Sequence, residues 1–508
     1  MTKRSTAAAL LAVAIAATAL LPATSSLAAT KKTTKKTTKT TKATTATTAA
    51  GSVTTAAAAK AAACSFTTDA ALEKSNGTNA SWAKAVYDCT ASAPLKASGD
   101  PIVIGLHNPE GDPNGSVPEY RIGAQAAEQY INNELGGVGA DYAAGKPGRP
   151  VKIEVCSTAI SPADSQRCAN DLAAKKPMVV FSTINFFGNH FATFNAAKIP
   201  VIVGTPITAL DFTSPGTYAI GGGGGCLGVH TGLIEFATKD LKGRNVAVPW
   251  ANTAPGVFCY NDLEKKPLQV LNGTTQAKDN IAALTMPNLK LLGVPILPGQ
   301  ADVTAQAQQV LDFKPDVIVF SAQGADCWSL VSSLGKLGWT PAKIPLVLSG
   351  ACLDDNKAKE AGDLAKGIYF IGSTPITNTA ALTGLLKQES ILYKDKSIKF
   401  GAKDDYTKGF ATQGFEGIMN VWEQASLVAK GDPSKVTGAG IEAAFAATKG
   451  SHSFGGSPLD CANAPAPYIA TCNTAVTAQQ WNGSGYDVKR ANYSGLYLIK
   501  GTALDFGK

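Results

Sequence analysis

The side chains in this chain that could do chemistry are few and dispersed. Its four histidines, His107, His190, His230 and His452, lie far apart, and none has a recognisable nucleophile and orienting acid beside it. The G-x-S-x-G pattern of hydrolases is absent. His190, His230 and His452 read as surface or helix residues, whereas His107 falls where a ligand could be touched. Asp404 and Asp405 are adjacent, so their carboxyls point apart and read as a solvated loop rather than a catalytic pair. Gly223-x-Gly225-x-x-Gly228 matches a dinucleotide-binding pattern. The next expected strand, residues 246–248, runs into Pro249, Trp250 and Asn252 without an acid for a ribose, so the glycine run reads as a flexible junction. No C-x-x-C spacing offers a zinc site. The expectation is a protein without cofactor or metal that binds rather than catalyses.

What the chain does supply is a set of hydroxyl and amide side chains just past apolar runs of strand length. His107, Asn108 and Ser116 follow the first run, Ser182 and Thr183 the third, and Thr205 and Thr208 the fourth. In the second half Trp250, Gln323 and Asp326 hold equivalent places. Ligands of doubly wound sheets bind beyond the carboxyl ends of strands, and this set would orient a small polar solute by hydrogen bonds. The competing reading of each hydroxyl is a helix cap.

The elements that would position these residues alternate from residue 100 onward. Short β-branched runs at 101–106, 151–155, 178–181 and 200–203 are separated by stretches of helical spacing, such as 119–135. The cadence resumes at 246–248, 292–297, 316–320, 346–348 and 368–371. Two helical stretches follow, 380–393 and 406–429, then 441–447, a Pro/Gly/Asn-rich tail and a last expected strand at 497–499. Runs apolar on both faces, alternating with helices, predict parallel sheets covered on both sides. Their number exceeds one comfortable sheet, so the expected fold is α/β with two doubly wound lobes. The expected boundaries are 100–221 with 373–445 for the first lobe and 222–372 with 446–508 for the second.

Ahead of the lobes, residues 1–28 read as a secretory signal: Lys3 and Arg4, an apolar run, then Ser26-Leu27-Ala28. No cysteine follows closely, so no lipid anchor is expected, and the location is secreted or extracytoplasmic. Residues 29–63 are almost wholly Thr, Ala and Lys and predict a disordered tether. Leader and tether also hold Lys3, Arg4, Lys31, Lys32, Lys35, Lys36, Lys39, Lys42 and Lys60 with no acid, while the whole chain is +8. The remainder is therefore near neutral, which argues against a nucleic-acid partner. Ten cysteines in an exported chain suggest disulfides. Spacing leaves the connectivity open. Pairing in chain order fits the element order: Cys64–Cys89 (within a 64–99 extension), Cys156–Cys168, Cys226–Cys259, Cys327–Cys352 and Cys461–Cys472.

Three stretches carry a family resemblance. They are Ile131-Asn132-Asn133-Glu134-Leu135-Gly136-Gly137-Val138; Ile199-Pro200-Val201-Ile202 running into Thr205-Pro206-Ile207-Thr208-Ala209-Leu210; and Pro298-Gly299-Gln300-Ala301-Asp302-Val303-Thr304 leading to Lys314-Pro315-Asp316-Val317-Ile318-Val319. In their order and spacing, residues 102–431 resemble the type I periplasmic binding proteins of the leucine/isoleucine/valine-binding group. The resemblance implies two lobes joined by hinge crossovers near 219–225 and 371–377, closing on a ligand. It implies that Ser182 or Thr183, together with Thr208 and backbone groups near Ile207, hold a ligand's carboxylate and ammonium. The acid expected after residues 346–348 is replaced by Gly350-Ala351-Cys352, so an ammonium loses its usual partner unless Asp326 or Asp354 substitutes. The implied function is a monomeric solute-binding component serving ABC permease subunits, its ligand an amino acid, amide or small carboxylate. A ligand-sensing receptor component is the alternative, and an extracytoplasmic enzyme on a related fold a more remote one.

Overall fold

The structure, a computed structural model, describes residues 94–112, 115–141, 144–221, 223–273, 286–322, 324–373, 376–464 and 466–498. The expected signal, the tether, Cys64 and Cys89 lie outside the described residues, as does the end of the strand expected at 497–499.

Two sheets organise the chain. β1 (Ile102–Pro109), β2 (Val151–Thr158), β3 (Val179–Ile184), β4 (Val201–Thr205) and β5 (Thr217–Ala219) form the first, all parallel, in the order β2-β1-β3-β4-β5. The second contains β6 (Asn245–Ala251), β7 (Lys290–Ile296), β8 (Val317–Phe320), β9 (Leu346–Ser349), β10 (Tyr369–Gly372), β11 (Val476–Trp481) and β12 (Tyr486–Tyr493). Its order is β12-β11-β10-β9-β8-β6-β7, parallel through β10 and antiparallel in the final hairpin.

Strand periodicity explains why both faces of each sheet are covered. In β3, Val179 and Phe181 face one core while Val180 faces another; in β8, Ile318 and Phe320 are divided from Val317 and Val319 in the same way. Helices complete the layers. Helix Pro162–Ala174 starts where expected, with the Ser161 side chain accepting from the Asp164 amide. Helix Gly409–Ala429 returns after the second lobe to pack on helix Pro118–Asn133 in the first lobe.

The C-terminal region departs from expectation. Phe454, Leu459, Cys461 and Cys472 share a core with Ile104 and Phe415, so residues 451–472 belong with the first lobe. Only the β11–β12 hairpin joins the second sheet, and Leu496–Leu498 is a 3-10 turn where a strand was expected. The tail therefore makes a third crossing between the lobes. The Ala219 amide donates to the Ala470 carbonyl (2.7 Å) and the Cys472 amide to the Ala219 carbonyl (3.0 Å) before the chain enters β11. Cysteine pairs 156–168, 226–259, 327–352 and 461–472 are disulfide-bonded. Among the described residues no helix is long and apolar enough to cross a membrane.

Candidate functional site

A cleft of about 1190 Å³, counting space open to solvent, lies between the lobes at the carboxyl ends of the strands. Ile184 ends β3 and Thr205 ends β4; Ala251 ends β6; Ser321, Ser349 and Ser373 stand at or just past the ends of β8, β9 and β10. Phe410 and Gln413 close the remaining side from helix Gly409–Ala429. Crossover connections put the carboxyl ends of β1–β10 on one edge of their sheets, which is why residues so distant in sequence meet here.

The wall is mostly apolar, with Ile184, Phe186, Ile207, Val229, Leu353, Ile376 and Phe410 interrupted by hydroxyls. Among the described residues no lysine or arginine lines it, and Asp326 and His230 are its only ionisable side chains. Asp326 Oδ1 accepts from the Gly299 amide at 2.8 Å, and burial raises its carboxyl above the usual aspartate range against that bond. His230 Nδ1 lies 2.8 Å from Glu264 Oε1. Gln413 Oε1 accepts from the hydroxyls of Tyr120 and Thr205, which fixes the amide on the cleft floor.

Cys226, His230 and Cys259 bring their ligand atoms within 4.8 Å of one another. The two cysteines are bonded to each other, so their sulfurs are not thiolates and the trio does not form a metal site in this state.

Of the side chains expected to bind ligand, Thr205, Ile207 and Asp326 line the cleft. Gln323 lies outside the described residues. The others are elsewhere, most of them for one reason. Apolar runs end before the ladder does, because backbone pairing continues through polar residues. β1 pairs through Pro109, so His107 and Asn108 sit inside the sheet, and His107 is paired in register with Ser182. The Thr183 hydroxyl donates to Asn108 Oδ1 at 2.6 Å; Ser182 Oγ lies 3.1 Å from His190 Nε2. The His107 ring stacks on His190 with centroids 4.9 Å apart. Burial lowers the His107 pKa to about 4 and that of His190 well below the usual range, so both rings are neutral core residues. Trp250 is still within β6 and stacks on Tyr260 at 5.0 Å. Ser116 accepts from the Gly111 amide in an exposed loop.

Thr208 is a helix cap. Its hydroxyl accepts from the Asp211 amide, and Asp211 Oδ2 accepts from the amides of Ile207 (2.8 Å) and Thr208 (2.6 Å), completing a capping box. The backbone donors expected to hold a ligand carboxylate are thus taken by the chain's own carboxylate. Residues the sequence reading did not single out, Phe186, Ser373, Phe410 and Gln413, take places on the wall. Only the topology brings them there.

A family model described as "Periplasmic binding protein" matches residues 101–457. Among solved structures the fold is similar to the branched-chain amino acid transporter substrate binding protein LivJ from Streptococcus pneumoniae in complex with isoleucine. That match has 15% identity over 77% of this chain and 100% of that one, with a TM-score of 0.55. It is similar also to a fatty acid ABC transporter substrate-binding protein from Thermomonospora curvata, at 16% identity over 82% and 97% of the two chains and a TM-score of 0.59. A third, an ABC transporter solute binding protein from R. palustris in complex with 4-hydroxybenzoate, shares 16% identity over 77% and 96%, with a TM-score of 0.57. No curated protein matches the chain.

Proposed function

This chain belongs to the periplasmic binding protein family, a family of binding proteins rather than enzymes, and from that premise we propose that it is an extracytoplasmic solute-binding component that presents a small ligand with an apolar body to ABC permease subunits. The observation that carries the ligand class is the wall of the cleft: apolar side chains and hydroxyls, with no lysine or arginine among the described lining residues. A carboxylate placed there meets no fixed cation, and the donors around Ile207 and Thr208 are already used by Asp211. Burying an unpaired charge is costly, so the free α-amino acid and small carboxylate expected from the sequence fit less well than a ligand whose body is hydrocarbon. The ligands named for the similar structures range from isoleucine to 4-hydroxybenzoate, which is consistent with one fold serving differently lined clefts.

The test is a thermal-shift screen of the purified protein against aliphatic and aromatic compounds with amine, alcohol, amide and carboxylate heads, with sugars and nucleosides alongside. A ligand at about 100-fold its dissociation constant adds about 2.7 kcal/mol of stability. Shifts are expected for compounds with an apolar body, and shifts confined to sugars or nucleosides would refute the reading. Co-purification of permease subunits with the liganded protein tests the transport role; recovery of a sensor kinase instead would overturn it.

A further inference from the structure

Behind the cleft lies a second, smaller pocket of about 330 Å³, counting space open to solvent, which shares Ser373 and Gln413 with the main cavity. Its back wall is one face of helix Gly409–Ala429: Gln413, Glu416, Gly417 and Asn420 follow each other at three- and four-residue spacing, leading from cleft to pocket. Glu416 is only 6% exposed, and its Oε1 is buried without a hydrogen-bond partner. Facing it from the third crossing, Asn473 donates through Nδ2 to the Ile220 carbonyl at 2.6 Å, and its Oδ1 is likewise buried and unpartnered. The Ser457 hydroxyl donates to the Ala475 carbonyl at 3.2 Å, which leaves its oxygen lone pairs to accept. What these oxygens lack is donors.

The local charge points the same way. His452 lies 2.6 Å from Glu389 and 2.9 Å from Glu423, so two carboxyl groups share one imidazole, and Glu389 is also the charge that acts on Glu416. We infer that this pocket receives the protonated primary amine of a ligand whose apolar body fills the cleft. An ammonium supplies three donors and one positive charge, and the pocket is too small beside the cleft to hold more than a head group. The inference rests on the solute-binding reading above and adds the chemistry of the head.

Burial, reinforced by Glu389, raises Glu416 well above the usual glutamate range, which favours its protonated form while the pocket lacks a cation. The titratable groups that couple to it are Glu389 and Tyr393 on helix Gly384–Lys399 and Tyr120 on helix Pro118–Asn133, while Glu389 is in turn joined to His452 and, through it, to Glu423. Binding an ammonium ionises Glu416 and releases its proton. Affinity therefore rises with pH while Glu416 would otherwise be protonated and falls once the amine loses its own charge.

Calorimetry on the full-length protein with hexylamine tests this, using 1-hexanol, hexanoate and sodium and potassium chlorides as comparators and buffers of differing ionisation enthalpy to count protons. Hexylamine is expected to bind at least tenfold tighter than hexanol, with release of about one proton. Glu416→Gln should remove the advantage of hexylamine over hexanol and the proton release. Ser457→Ala, which spares the carboxyl, should weaken hexylamine several-fold and serves if the first variant does not fold. Equal hexylamine binding in wild type and Glu416→Gln overturns the inference and leaves the cleft reading standing, since hexanol still binds. A Glu416-dependent response to sodium or potassium with none to hexylamine overturns it in favour of an inorganic cation. Failure of every hexyl compound to bind defeats the cleft reading and this inference with it.

Discussion

Asp211 has no exposed surface, and it finds its donors within four residues of itself: the amides of Ile207 and Thr208 and the Thr208 hydroxyl. Burial pushes its carboxyl up to about 7 against the pull of those bonds. A group so placed organises the turn and takes the backbone donors that a solute carboxylate would need. Thr208→Ala is therefore expected to cost about 1 kcal/mol, the ordinary loss of a cap, in urea denaturation, and to leave ligand affinity unchanged; a tenfold affinity loss would return the hydroxyl to the site. The neutral His107 has its own signature. Its pKa is lowered from 6.5 to about 4 by burial, so protons bind the unfolded chain more readily between those values. The stability this ring supports is complete above pH 6.5 and is lost, to the extent of about 3 kcal/mol, as pH falls through 4. His107→Gln should flatten that acid limb in pH-dependent unfolding, and an unchanged limb would show that other groups produce it.

At the scale of elements, parallel strands were legible because their apolar runs are buried on both faces, and Ser161 announced its helix. The hairpin β11–β12 was not legible. It is antiparallel at the sheet's edge, and β12 reads buried at Tyr486 and Tyr493 with Lys489 and Arg490 exposed or half-exposed between them, so no continuous apolar run marks it. The candidate site suffered from the same dependence on apolar runs: ladders extend through His107, Ser182 and Trp250, shifting the true strand ends to Ile184 and Ala251. Helix Gly409–Ala429 was visible as a helix, but its place against the cleft follows from the crossovers. This helix is also tied to its neighbours by charge. His452, in the loop after helix Gly438–Ala446, joins Glu389 of helix Gly384–Lys399 to Glu423. Burial alone would lower its pKa, yet Glu423 and Glu389 outweigh this and hold the imidazole protonated up to about 10. Its contribution is complete below pH 6.5 and lost as pH rises through 10. His452→Ala removes the imidazole that Glu389 and Glu423, both buried, share and should destabilise the protein by about 3–5 kcal/mol at pH 7. A loss under about 1 kcal/mol in denaturant unfolding would mean that the carboxylates protonate or find other partners.

For the whole molecule the decisive feature is that three segments cross between the lobes side by side. The Asn473 side chain donates to the Ile220 carbonyl, holding the third crossing to the first. Gly224 stands where the first and third crossings pack backbone to backbone: its φ is +76°, and a Cβ there would lie 2.4 Å from the Asn473 carbonyl oxygen. The glycine run that resembles a nucleotide-binding loop is thus explained by backbone packing at the junction. Gly224→Ala would combine left-handed strain of about 1 kcal/mol with a clash that only separation of the crossings can relieve. Since the cleft walls are carried on the two lobes that these crossings join, moving them changes the spacing of Ile184 and Phe410 from Ser321 and Ser349. The expected result is a variant that folds, shows a larger radius of gyration by small-angle scattering with ligand present, and binds that ligand at least tenfold more weakly. If scattering and affinity both match the wild type, the crossings yield locally without moving the lobes, and the cleft's geometry is set by the packing of helix Gly409–Ala429 instead.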